Sequence, residues 1–273
     1  MKISHSILRY FVLLVSSIIL LLGGQSCSKL FEYSPYDANV ENDQLNTNAI
    51  QLQAISNQFK SPSKFSFAVI ADVHYHYTSL ANIVKQINND DEIEFVIIAG
   101  DISDQALLTE YELFYSVMKD LNKPYLTLIG NHDYNVNGEK IYAQMFGETN
   151  YDFVFQNSHF IMFDDVFWES NRIPDFDWLE SKLKNQSQYE HQFVIAHIPP
   201  FGDQFDEASE AKYVKLMADH QVSLSIHGHG HAYLSENYYQ DRIPYLVVPW
   251  PKNAEYAKVS VNEKTIIYKI EKA

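Results

Sequence analysis

Phe65-Ser66-Phe67-Ala68-Val69-Ile70-Ala71-Asp72-Val73-His74 is the stretch from which the fold is read. Positions 65–71 are apolar almost throughout and of strand length, which predicts a strand covered on both faces. The run then stops on a carboxylate and an imidazole. The pattern repeats downstream. The apolar run 95–99 ends at Gly100-Asp101, 125–129 at Gly130-Asn131-His132-Asp133, 193–196 at His197, and 222–226 at His227-Gly228-His229-Gly230-His231. In open α/β sheets ligands bind at the carboxyl ends of strands, so these residues, distant in sequence, are expected to converge.

Between the runs, Leu113, Phe114, Val117, Met118 and Leu121 recur at helical spacing, as Tyr213, Val214, Leu216 and Met217 do less regularly. Continuous apolar strands, including 160–163, separated by amphipathic helices predict a layered α/β domain with helices covering its sheets. After His231 the pattern changes to short apolar runs at 232–239, 244–248, 256–261 and 265–270 with no helix between them. They predict a second, more antiparallel sheet.

Residues 1–26 have a short start carrying Lys2 and Arg9, an apolar run over 11–22, then Gly23, Gly24 and Ser26. That is the anatomy of an export signal, too short for a bilayer span of about 20 residues. Cys27, the only cysteine, stands directly behind it. Its setting resembles a bacterial lipoprotein signal, in which the cysteine becomes the first mature residue and carries the lipid. Gly24 departs from that pattern, where a larger aliphatic residue is usual, and an ordinary signal followed by an incidental cysteine is the alternative. Residues 27–63 are polar and rich in Asn, Gln, Ser and Asp, and read as a tether to the membrane of the cell envelope, periplasmic or outer-membrane associated. The domain is expected over 64–273. A net charge of −15 disfavours extended nucleic acid and leaves a small phosphorylated molecule open as a partner.

Singly, Asp-x-His, Gly-Asp or one histidine behind a strand reads more readily as a turn or a structural residue. Together, in this order and each closing a strand, they resemble the calcineurin-like metallophosphoesterases: Asp-x-His, Gly-Asp, Gly-Asn-His-Asp, a later His, and Gly-His-x-His. The likeness spans residues 65–231 and includes His197-Ile198-Pro199-Pro200. It implies an α/β fold, a two-sheet sandwich flanked by helices in four layers, α/β/β/α. It also implies two divalent metal ions, one held by Asp72, His74 and His231, the other by Asn131, His197 and His229, with Asp101 bridging. Such oxygen and imidazole sets suit Mn, Fe or Zn. Two cations about 3.5–4 Å apart activate a shared water and neutralise a phosphoryl group under in-line attack.

In the family His132 stabilises or protonates the leaving oxygen, with Asp133 orienting its ring. The glycines at 228 and 230 are expected to let the backbone turn. His227 is surplus to the motif and reads as an outer partner of a ligand or a structural residue. His76, Tyr75, Tyr134 and Phe201 either line a substrate pocket or pack the loops. Asp104, in Gly100-Asp101-Ile102-Ser103-Asp104, resembles the cyclic-nucleotide phosphodiesterase members, while position 104 lacks the tyrosine of the purple acid phosphatases. The expected activity is therefore hydrolysis of a phosphodiester in preference to a monoester. The alternative is a binding or scaffold lipoprotein that keeps the fold without the chemistry.

Overall fold

A computed structural model describes Leu14, Val15, Ser34 and residues 36–57, 64–184 and 186–273. Cys27 and most of the expected export signal lie outside the described residues. The chain divides into two units, Met1–Asp37 and Ala38–Ala273, and both sheets belong to the second.

The elements of that unit run α1 (Thr47–Ser56), β1 (Lys64–Ile70), α2 (Tyr77–Asn88), β2 (Ile93–Ala99), α3 (Leu108–Met118), β3 (Tyr125–Leu128) and α4 (Gly138–Met145). Then come β4 (Tyr151–Phe155), β5 (Ser158–Phe163), α5 (Phe176–Leu183), β6 (His191–Ala196), α6 (Glu207–Asp219) and β7 (Leu224–His227). β8 (Leu234–Glu236), β9 (Tyr245–Val247), β10 (Glu255–Asn262) and β11 (Thr265–Lys272) complete it. They form a five-stranded sheet, β11-β10-β1-β2-β3, and a six-stranded sheet, β4-β5-β6-β7-β9-β8. Both sheets are mixed.

Residue size along β1 explains the layering. Phe67 and Val69 point into the space between the sheets, whereas Ala68 and Ile70 point to the helices. Phe67 stacks on Phe95 of β2 at 5.4 Å and meets Phe160 of β5 and Phe193 of β6 edge-on at 5.2 and 5.4 Å. Such pairs add about 0.5–1.5 kcal/mol each beyond area burial, so aromatic contacts across the gap hold the sandwich closed. Outside the five-stranded sheet, Leu80 and Ile83 of α2, Phe114 and Met118 of α3 and Ile141 of α4 make a second core. Outside the six-stranded sheet, Leu179 of α5 and Tyr213 and Met217 of α6 make a third. The result is the four-layer α/β/β/α sandwich.

The strands after His231 do not build a sheet of their own. β10 lies antiparallel to β1 and carries β11 as its hairpin partner, while β9 runs parallel to β7 and pairs with β8. Their period-two pattern specifies strands but not which open edge receives them. The expected tether also ends earlier than residue 63. Within it, α1 docks on β3, the last strand of its sheet. Asn48 Nδ2 donates to the Thr127 carbonyl at 3.2 Å and the Thr127 N–H donates to Asn48 Oδ1 at 2.9 Å, so one buried amide covers a strand edge. Among the described residues no helix is long and apolar enough to cross a membrane.

Candidate metal centre

The strand ends converge as expected. Asp72 and His74 follow β1, Asp101 follows β2, Asn131 follows β3, His197 follows β6, and His229 and His231 follow β7. Of these, Asp72, His74, Asp101, His229 and His231 take left-handed backbone at φ 55, 46, 51, 62 and 55°. Asp and His tolerate that region better than most residues, yet such strain gathers where a site demands it.

The glycines beside them make room. A Cβ on Gly100, itself at φ +91°, would lie 2.3 Å from His197 Nδ1, and one on Gly228 would lie 2.9 Å from Asp72 Oδ2. Contrary to expectation, the chain turns at His229 and His231, which carry the positive φ. Gly228 is required for the close approach of β1 rather than for backbone freedom.

Two groups of potential ligands lie side by side, Asp72, His74 and His231 in one and Asp101, His197 and His229 in the other, and Asp104 and His132 make a third around the shared His74. Asp72 Oδ1 is 3.4 Å from His231 Nε2. Asp101 Oδ2 sits between the groups, 3.7 Å from His74 Nε2, too far for a hydrogen bond, and 3.2 Å from His197 Nε2, close but without the alignment of one. Asn131 Oδ1 completes the second group, 3.1 Å from His197 Nε2 and 3.0 Å from His229 Nδ1. His197 Nδ1 donates to the Ala99 carbonyl at 2.8 Å, which turns Nε2 towards the cluster.

The donor set fits a pair of divalent cations. Asp101 Oδ2 and both ring nitrogens of His74 are buried without a hydrogen-bond partner, a costly state that a cation relieves. Burial opposes a charge on His197, but the carboxylates of Asp101 and Asp72 outweigh it and raise its pKa well above the ordinary value. The two carboxylates thus favour positive charge beside them.

The family model of the calcineurin-like phosphoesterases matches residues 65–233. The chain belongs to that family. Among curated proteins it is 38% identical over 61 residues to a probable cyclic nucleotide phosphodiesterase of Xenorhabdus bovienii, covering 22% of this chain and 25% of that one. It is 32% identical over 111 residues to a probable glycerophosphodiester phosphodiesterase of Arcobacter nitrofigilis, 40% of this chain and 37% of that one. The matched parts thus span little more than a third of those relatives at most. Among solved structures, a dimetal phosphatase from Danio rerio superposes with TM-score 0.64 at 14% identity, over 76% of this chain and 95% of that chain. A yellow lupin purple acid phosphatase gives 0.64 at 14% identity, over 77% and 52%. These show the fold.

In this calcineurin-like phosphoesterase the His132 ring packs edge-on against His74 at 4.7 Å and is 37% exposed. Its orientation corrects one expectation. Asp133 does not face the ring. Its buried carboxylate accepts from the N–H groups of Ile102, Ser103 and Gly130, at 3.1, 3.0 and 3.0 Å, and from the hydroxyls of Ser103 and Tyr111, at 2.7 and 3.1 Å. It knits the Gly100 and Gly130 turns together. The ring is held instead by Asp104, whose carbonyl lies 2.8 Å from His132 Nδ1 and whose carboxylate lies 3.9 Å away. Burial lowers the His132 pKa, but Asp101 and Asp104 together raise it above the ordinary value.

His227 is fully buried, its Nε2 2.8 Å from Ser225 Oγ, which also meets the Tyr213 hydroxyl. Tyr134 donates to Asp164 and accepts from Arg172, so it fastens a loop. His76 packs against Trp250, Phe201 stacks on Tyr238 at 4.3 Å, and Tyr75 is exposed.

Three neighbours of the centre fall outside every motif. Trp250 stacks on His231 at 4.5 Å. Asp165, buried beside β6, accepts from the His197 and Ile198 N–H groups at 3.1 Å, and burial pushes its carboxyl up to about 8. Glu169 accepts from Asn131 Nδ2 at 3.2 Å. None carries a spacing signal, because each reaches the centre only through tertiary packing.

Proposed function

We propose that this chain hydrolyses a phosphate ester with two divalent cations, Mn, Fe or Zn, and prefers diesters to monoesters. The observation that carries the reading is the gathering of both ligand groups around the unpartnered Asp101 Oδ2. Bound there, a cation pair supplies an activated water and offsets charge on the phosphoryl oxygens. The protein's own groups do the rest. The Asp104 carbonyl accepts a hydrogen bond from Nδ1–H of the His132 imidazolium, which keeps its proton there and leaves the Nε2 proton to pass to the departing oxygen.

The diester preference is supported by charge. Asp104 Oδ1 lies 3.5 Å from His74 Nδ1, and Glu169 stands beside Asn131. A monoester dianion meets these carboxylates with two charges, a diester with one. Arg172 does not offset them, being engaged by Glu139 at 2.7 Å and by Tyr134. The names of the two curated relatives point the same way.

The test is kcat/KM on bis(4-nitrophenyl) phosphate and 4-nitrophenyl phosphate with the protein loaded with Mn, Fe, Zn or Mg. A higher value for the diester is expected, and the Asp104→Asn variant should narrow the gap. A higher value for the monoester would contradict the preference. Inactivity on both with every metal would favour the scaffold alternative.

We also propose export on residues 1–26 and a lipid on Cys27, which places the enzyme on an envelope membrane facing a small phosphorylated substrate. The residue pattern around Cys27 supports this. Cys27→Ser should move the protein from the membrane to the soluble fraction, and an unchanged membrane fraction would contradict the anchor.

A further inference from the structure

Asn131 can hold its amide in two orientations, and only one suits a cation. Its Oδ1 faces His197 and His229, and its Nδ2 donates to Glu169 Oε1 at 3.2 Å. Oxygen and nitrogen ends are nearly equal in size, so shape does not prevent the amide from turning over. Chemistry does. An ionised carboxylate only accepts hydrogen bonds, so Glu169 attracts Nδ2 and repels Oδ1.

Glu169 lies on the segment 164–175 between β5 and α5, and that segment is pinned on either side of it. Asp164 receives the Tyr134 hydroxyl, and its N–H donates to Asn150 Oδ1 at 2.8 Å. Arg172 binds Glu139 at 2.7 Å and the Tyr134 oxygen at 3.1 Å. Ser170 Oγ donates to the Val166 carbonyl at 2.5 Å. An exposed glutamate is thereby held against a ligand amide by a fixed backbone.

We propose that Glu169 is a positioning residue that locks the Asn131 amide with its oxygen turned to the second cation. This rests on the two-cation reading above. The experiment is calorimetric titration of Mn²⁺ into the metal-stripped full chain, as wild type, Glu169→Ala and Glu169→Gln. Glutamine keeps the length and an acceptor oxygen. Wild type should bind two equivalents. Glu169→Ala should weaken one about 10–100-fold and leave the other unchanged, the range typical of lost outer partners of metal ligands, and Glu169→Gln should recover most of that loss.

Unchanged affinities in Glu169→Ala would overturn the proposal while leaving the two-cation reading intact. Glu169→Gln as weak as Glu169→Ala would also overturn it, since the charge rather than the hydrogen bond would then matter. Fewer than two equivalents in wild type would overturn the two-cation reading and this inference with it. Because Glu169 is exposed, metal-free unfolding temperatures should match among the variants. A shift in those temperatures with unchanged affinities would mark the role as structural only.

Discussion

His132 and Asp133 adjoin in sequence and serve different ends. The His132 ring is open to solvent beside His74 and is backed by the Asp104 carbonyl, whereas Asp133 is sealed within backbone donors. His132→Ala should keep both cations and lose about 10²–10⁴-fold in kcat on esters with poor leaving groups, with much less loss on nitrophenyl esters. Equal losses on both would argue against a proton donor. Asp133→Asn should instead lower stability by about 1–3 kcal/mol, because an amide nitrogen turned towards N–H donors leaves buried groups unpaired. Chemical denaturation of the metal-free protein reads that loss directly.

At the scale of elements, the strands that carry ligands were legible because they are apolar on both faces and end on Asp, Asn or His. α1 was not. It docks through Thr47 and Asn48, and its apolar contribution is confined to buried Ile55 and partly buried Leu52, too short a stripe to read as a helix face. Its signal lies in two hydrogen-bonding side chains, Thr47 and Asn48, whose partners lie 98 and 79 residues away. Asn48→Ala should cost about 1–3 kcal/mol and expose the β3 edge to hydrogen exchange, whereas a free tether would show neither effect. The placement of β10 was equally hidden, because β1 has two edges and hydrophobic pattern does not choose between them.

Lys258 helps to place β10, reaching Asp90 at 2.6 Å and Glu92 at 2.7 Å ahead of β2. Burial pushes the Asp90 carboxyl up, but Lys258 outweighs it and holds the pKa below the ordinary value. A carboxyl depressed in the folded state stabilises above its unfolded pKa of about 3.9 and loses that contribution as pH falls through the folded value. Asp90→Asn should therefore destabilise at neutral pH and converge with wild type as the pH falls through the depressed folded value, below the unfolded pKa of about 3.9. A constant difference across that range would contradict the ion pair.

The whole molecule carries a net charge of −15 and concentrates buried carboxylates, Asp72 and Asp101 among them, where the strand ends meet. Left-handed backbone at five ligand positions adds to the cost of bringing them together. Cations bound there would repay both by neutralising charge and satisfying the unpartnered His74 nitrogens. Each site held at 100 times its dissociation constant should stabilise the fold by about 2.7 kcal/mol, so a chelator should lower Tm while Asp101→Asn should show little further loss on chelation. The proposed bridging by Asp101 is most directly tested by anomalous diffraction at the Mn absorption edge from Mn²⁺-soaked crystals. The account predicts two peaks about 3.5–4 Å apart, one among Asp72, His74 and His231 and one among Asn131, His197 and His229, with Asp101 Oδ2 between them. A single peak, or two that do not share Asp101, would contradict it.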